Sequence, residues 1–186
     1  VGGQTELPCA AIMRTGLIIG LLVAATAAPA ASASGDRALS VAARYATVTT
    51  DDDGESGRGA AVGLDYERGV SDAVTVRGSV QGAIYPSLDG DDTDPPAYCG
   101  QATVGLVYAL DVIKYVPFVG IAAGGAVVAG GGKDTDVFPL VELSAGIDIL
   151  HSRSLSYGVG IRFAGFATDA QFLTVGARVT WRWGFF

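Results

Sequence analysis

The chain has 186 residues, 12 basic and 19 acidic, for a formal net charge of −7, with 27 glycines, two cysteines and one histidine. That length suits one domain, at most two. With 49% hydrophobic and 17% charged residues, the chain is too apolar for disorder, too acidic for a nucleic-acid-binding face, and too poor in Cys and His for a zinc site or a disulfide scaffold.

The first element reads as an address rather than structure. Met13-Arg14-Thr15 precede an apolar run from Gly16 to Ala25, and small residues follow to Ala31-Ser32-Ala33. A basic start, a short apolar run and an A-x-A site describe a secretory signal peptide. The run is too short for a helix spanning about 30 Å of hydrocarbon. Residues 13–33 are therefore expected to be a signal peptide cleaved after Ala33. Residues 1–12 are expected to be a mis-set start upstream of Met13. Cys9 then leaves Cys99 as the sole cysteine of the mature chain, residues 34–186.

From Arg37 onward the period is two, which predicts strands. In chain order, one face carries Leu39, Val41, Ala43 and Tyr45, then Ala60, Val62, Leu64 and Tyr66, then Val74, Val76, Gly78 and Val80. It continues with Ala102, Val104, Leu106 and Tyr108, then Val119, Ile121 and Ala123, then Val141 through Ile149. The last two segments give Leu155 through Phe163 and Leu173 through Phe185. Eight segments alternate, and none of these apolar positions is charged. The opposite face carries Arg44, Arg77, Arg162, Arg178 and Arg182, with Asp65, Glu67, Glu142 and Asp148. A soluble sandwich or lipocalin shares this period with its apolar face turned inward, so periodicity alone does not decide between them.

Three further features do decide. Expected connections at Thr49–Ser56, Pro86–Pro96, Ala129–Asp136 and Ala167–Ala170 separate odd strands from the next even strand, and the links near Arg68–Asp72, Asp111–Lys114 and His151–Arg153 are expected to be tight. Long loops on one rim and short turns on the other mark membrane barrels. Aromatics gather at both strand ends: Tyr66, Tyr108, Tyr115, Tyr157, Trp181, Trp183 and Phe185 at the short-turn rim, and Tyr45, Tyr85, Tyr98, Phe138, Phe163, Phe166 and Phe172 toward the other. Such girdles sit at membrane interfaces. Finally, no later helix stops export: Val116–Gly132 is apolar but interrupted by Pro117 and many small residues. Strands cross a bilayer only as a closed barrel. The expected fold is all-β, an eight-stranded antiparallel up-and-down transmembrane barrel in a bacterial outer membrane, with both termini periplasmic.

The chain from Arg37 to Phe186 resembles the small eight-stranded outer-membrane β-barrel superfamily of OmpA/OmpX type. The segment Tyr115-Val116-Pro117-Phe118-Val119-Gly120 through Gly124 is similar to that superfamily's Pro-aromatic-Val-Gly strand, and the chain ends Trp181-Arg182-Trp183-Gly184-Phe185-Phe186. The resemblance implies partners: outer-membrane lipid, lipopolysaccharide, and the barrel-assembly machinery that reads a terminal aromatic. The alternation runs in frame with Phe185, so Phe186 is one residue extra, which a bulge near Gly184 would reconcile. The fold hosts adhesins, resistance factors, structural proteins and lipid enzymes alike.

An eight-stranded interior is filled by side chains. The nine inward charges, with Gln81 and Gln101, are expected to form a lumen charge network, with inward glycines leaving room for the arginines. Centring the sixth-to-seventh hairpin on Ser152 places Asp148 opposite Ser156, Gly146 opposite Gly158 and Glu142 opposite Arg162, with Arg178 sharing Glu142. Five arginines against four acids leave one arginine for Gln81, Gln101 or a carbonyl. His151, the single histidine, and Ser152 fall in a short turn, far from any outer-leaflet substrate. No cofactor and no catalytic group are expected. Asp51, Asp52 and Asp53 in the first long loop and Asp89, Asp91, Asp92 and Asp94 in the second are weak divalent-cation candidates, because clustered carboxylates suit hard cations. The expected role is structural or surface-interacting; the alternatives are a narrow channel or a lipid-modifying enzyme.

Overall fold

The computed structural model describes residues 36–50, 56–86, 96–110, 114–130, 133–166 and 170–184. The expected signal peptide lies outside these. The strands are β1 Arg37–Thr50, β2 Ser56–Gly69, β3 Val74–Tyr85, β4 Ala97–Ala109, β5 Tyr115–Gly130, β6 Lys133–Leu150, β7 Leu155–Phe166 and β8 Ala170–Trp183. Each pairs antiparallel with its chain neighbour, and β1 pairs with β8, so the sheet closes in the order β1 to β8. Closure removes both edges, leaving no row of unpaired backbone groups.

The barrel is inside-out relative to a soluble one. Val62 is 67% exposed and Ile121 56%, whereas Asp65 and Asp148 are 0% exposed. Such an outer surface matches hydrocarbon, and the strands can stand in it because every ladder is closed. None of the helices among the described residues is long and apolar enough to cross a membrane. The crossing is made by strands.

The structure corrects three expectations. First, the connections do not alternate in length as drawn. The span expected as the 129–136 loop is mostly strand, since β5 runs to Gly130 and β6 begins at Lys133. Val127, Val128 and Val137 extend the ladder, because branched side chains favour strand. The register slips between Val128 and Gly130, where Gly130 takes φ +89°, a conformation glycine supplies without steric cost. The β7–β8 link is also short, residues 167–169. The β1–β2 link, residues 51–55, is no longer than the β4–β5 link, residues 110–114, so only the β3–β4 link, residues 86–96, is long where a long loop was expected.

Second, Tyr85 and Phe172 do not belong to the outer girdle. They are 2% and 4% exposed and meet edge to face inside the barrel, with ring centroids 6.1 Å apart. Their parity explains this, because Tyr85 shares a face with Arg77 and Gln81, and Phe172 with Arg178. Phe138 shares the inward parity of Glu142 and is half-buried. Tyr45, Tyr98 and Phe163 do face outward. At the other rim Tyr66, Tyr108, Tyr115, Tyr157, Trp181 and Trp183 are exposed, as expected.

Third, the β6–β7 register is shifted by two. Asp148 faces Gly158, Gly146 faces Gly160, Ser144 faces Arg162 and Glu142 faces Ala164. The turn spans His151 to Ser154, with the His151 and Ser152 amides both donating to the Leu155 carbonyl, so its centre lies past Ser152. A shift of two preserves which residues face inward. At the end of β8, Gly184 takes φ +96°, breaking the extended frame where a bulge was expected. Phe185 and Phe186 lie outside the described residues.

A charge placed on the lipid face tests the inversion. Ile121→Arg should lower the urea unfolding free energy in lipid vesicles by about 2–4 kcal/mol if the residue sits near the bilayer midplane. A cost within about 0.5 kcal/mol, as for a water-facing surface site, would show that this face is not in lipid.

Candidate functional site in the barrel lumen

The inward side chains fall into three levels. Nearest the β2–β3 and β6–β7 turns, Asp148 accepts from Arg178 twice, from Nε and Nη2 at 2.8 Å each, and from Arg182 Nη2 at 3.1 Å. Glu67 lies 2.7 Å from Arg77 Nη2 and accepts from Arg77 Nε at 2.9 Å. Arg178 Nη1 stands 3.5 Å from the same carboxylate. The fork of Arg178 on Asp148 is the two-pronged geometry that fixes orientation as well as charge.

At mid-barrel the node is Asp65. Its Oδ2 takes Arg162 Nη2 at 2.6 Å and Arg44 Nη2 at 3.4 Å. Arg44 Nη1 donates to Gln81 Oε1 at 2.6 Å, so Arg44 is the arginine that leans on a glutamine. Arg162 also reaches Glu142 at 3.5 Å and Ser79 Oγ at 3.3 Å. The expected Glu142–Arg162 ion pair therefore forms, but diagonally, and it is the longer of the two Arg162 contacts to carboxylates. The expected sharing of Glu142 by Arg178 does not occur: the register shift carries Arg178 opposite Gly158, beside Asp148.

The third level is apolar and lies toward the β1–β2 and β3–β4 connections. Val48, Tyr85, Cys99, Leu140 and Phe172 pack there with buried alanines. Gln101 Nε2 donates to Cys99 Sγ at 3.7 Å. This cap is legible in the sequence only as parity, through the inward apolar residues near one end of β1, β3, β4, β6 and β8.

Phe118 is the lumen residue whose role the sequence reading missed. It is 6% exposed on the inward face of β5. The Arg178 guanidinium stands 4.0 Å from its ring centroid and that of Arg77 5.2 Å. Cations over an aromatic face are attracted by its quadrupole. The ring fits because Gly146 and Gly160 lie beneath it; a Cβ at Gly146 would strike Phe118. The inward glycines thus serve several groups rather than arginines alone: Gly63 and Gly176 admit Arg44, and Gly158 admits Asp148.

Little space remains. A void of about 10 Å³ lies among Arg44, Phe118, Ser144, Gly160, Arg162 and Arg178, room for roughly one water. A vestibule of about 290 Å³ opens at the short-turn end, with Asp36, Arg37, Glu67, Asp72, Val116 and Arg182 among its lining. His151 is exposed in its turn, its ring 5.8 Å from that of Tyr157, and among the described residues it has no carboxylate partner. Asp51, Asp52, Asp53, Asp89, Asp91, Asp92 and Asp94 lie outside the described residues. Among the described residues no group of three His, Cys, Asp or Glu is placed to hold a metal ion.

No protein-family model and no curated protein matches the chain. Solved structures do. Neisserial surface protein A aligns with a TM-score of 0.61 at 15% identity, over 81% of this chain and 99% of that one. Ail, the attachment invasion locus protein of Yersinia pestis, aligns with a TM-score of 0.57 at 14% identity over 81% and 99%; it has also been solved with the heparin analogue sucrose octasulfate. The outer-membrane enzyme PagL aligns with a TM-score of 0.50 at 13% identity over 75% and 97%. At these identities the likeness is one of fold: the chain is a small eight-stranded barrel of the outer-membrane type.

The network predicts an order of coupling. In double-mutant cycles by urea unfolding, Asp65→Asn with Arg162→Gln should couple by roughly 0.5–3 kcal/mol. Glu142→Gln with Arg162→Gln should couple more weakly, because that pair is longer. Equal coupling, or additivity in the Asp65 cycle, would show that Asp65 is not the node.

Proposed function

We propose that the protein is a non-catalytic, non-conducting integral barrel of the bacterial outer membrane, which acts structurally and through its outer rim. The observation that carries this reading is the filled lumen. Phe118 lies against two arginine guanidiniums, the Asp65 belt crosses the barrel above it, and an apolar cap closes the next level. An ion would have to displace an aromatic ring and break charge-assisted hydrogen bonds to pass.

Against a catalytic role stands the position of the lone histidine, exposed in a turn at the end opposite the β3–β4 connection, with the Ser152 and Ser154 hydroxyls bonded to each other. PagL shares the fold, but fold does not carry chemistry. For the rim, charge is the guide. The β1–β2 connection holds Asp51, Asp52, Asp53 and Glu55, and the β3–β4 connection holds Asp89, Asp91, Asp92 and Asp94. Like charge repels a sulfated polyanion such as the one solved with Ail, so these segments suit a cationic partner, or divalent cations that bridge them to anionic lipopolysaccharide.

Planar-bilayer recording tests the sealed lumen. The wild-type barrel should give no unitary current steps. Steady open-channel steps from the wild type would favour the narrow channel instead.

A further inference from the structure

The charge at the short-turn rim contains an arrangement that the barrel itself does not explain. Arg37 and Arg68 are direct cross-strand partners on β1 and β2. Both are exposed, and both have outward parity, continuing the file of Leu39 with Tyr66 and Val41 with Leu64. Like charges directly opposite on a ladder repel. Among the described residues neither arginine makes a side-chain hydrogen bond or an ion pair. Of the neighbouring acids, Glu67 turns inward to Arg77 and Arg178, and Asp36, which lines the rim of the vestibule together with Arg37, makes no ion pair with either arginine.

The surroundings show what fits between them. On its other side Arg37 pairs with Trp183 of β8. The Trp183 ring lies 6.5 Å from that of Tyr66. Two uncompensated guanidiniums therefore stand in the aromatic zone, directly below the aliphatic band. Tyr and Trp mark the headgroup level of a bilayer, and the guanidinium fork matches a phosphate in two-pronged geometry.

We propose that Arg37 and Arg68 bind the phosphate of an anionic phospholipid, whose acyl chains lie along Leu39, Val41 and Leu64. The site would bind a lipid in the leaflet facing the short-turn rim, and would offset the Arg37–Arg68 repulsion. It rests on the reading of the barrel as membrane-inserted.

The chain contains two tryptophans, Trp181 and Trp183, so its intrinsic fluorescence reports from beside the site. The barrel is reconstituted in phosphatidylcholine vesicles carrying a minor fraction of either brominated phosphatidylglycerol or brominated phosphatidylcholine. Quenching should reveal about fivefold or greater enrichment of the brominated phosphatidylglycerol, the scale expected for basic residues at an anionic surface. Arg37→Gln with Arg68→Gln should abolish the preference. Arg68→Lys and the distant Lys114→Gln should keep it. Each variant is checked for folding by its shift in gel mobility on boiling. Equal quenching by the two lipids in the wild type, or a preference that survives in the double glutamine variant, overturns the site alone. Loss of the preference on adding inorganic phosphate shows that free phosphate occupies the arginines and overturns the lipid as ligand. Absence of quenching by either lipid overturns membrane insertion, and the site with it.

Discussion

Hydrocarbon offers no hydrogen-bond partner, so every backbone amide and carbonyl that enters it must be satisfied by the chain. This constraint organises the molecule. It demands that β8 return to β1. Closure in turn leaves two surfaces of opposite character, and the period-two alternation assigns one residue set to each. The outer set needs only to be apolar. The inner set has to fill a narrow space and satisfy its own polar groups.

The inner set does so with few carboxylates and many donors. Asp148 anchors two arginines of β8, which ties the closing strand to β6. Asp65 does the same for Arg44 of β1 and Arg162 of β7. The Asp148 node therefore ties strands two places apart, and the Asp65–Arg162 pair ties β2 to β7, three places apart around the barrel. Removing one partner of a buried pair typically costs about 3–5 kcal/mol, because the remaining charge is left uncompensated. The glycines follow from the same crowding: Gly63, Gly146, Gly158 and Gly176 lie where a Cβ would meet Arg44, Phe118 or Asp148. In the proposed function, sealing of the lumen and lack of conduction have one cause, which is why that reading turns outward to the rim.

Much of this was legible in the sequence. The strands and the sorting of residues into two faces follow from alternation, and the expected membrane setting turns the charged face inward. Counting charges leaves one arginine for Gln81, Gln101 or a carbonyl, and the structure identifies the pair as Arg44 and Gln81. What failed was longitudinal. The β6–β7 register slipped by two because the turn runs to Ser154, and alternation cannot detect an even shift. That error moved Arg178 from Glu142 to Asp148. The β5–β6 hairpin was cut short because Gly130, Gly131 and Gly132 read as loop although the β-branched residues flanking them extend the ladder. Phe118 escaped notice because an inward aromatic among charges resembles a girdle residue until its partners across the lumen are known. Tyr85 and Phe172 were misplaced for the related reason that nearness to a strand end was given more weight than parity.

The central claim is that Asp65, Asp148 and the arginines that bridge them to other strands, Arg162 and Arg178, are sealed from water inside a lipid-facing barrel. Its salt dependence tests that most directly. Raising salt to about 1 M shortens the screening length to about 3 Å, which weakens exposed ion pairs and leaves buried ones nearly untouched. The difference in urea unfolding free energy between the wild type and Arg178→Gln in phosphatidylcholine vesicles should therefore be unchanged between low salt and about 1 M sodium chloride. A difference that collapses as salt rises would mean that the arginine and its carboxylates face water, and would contradict the sealed lumen.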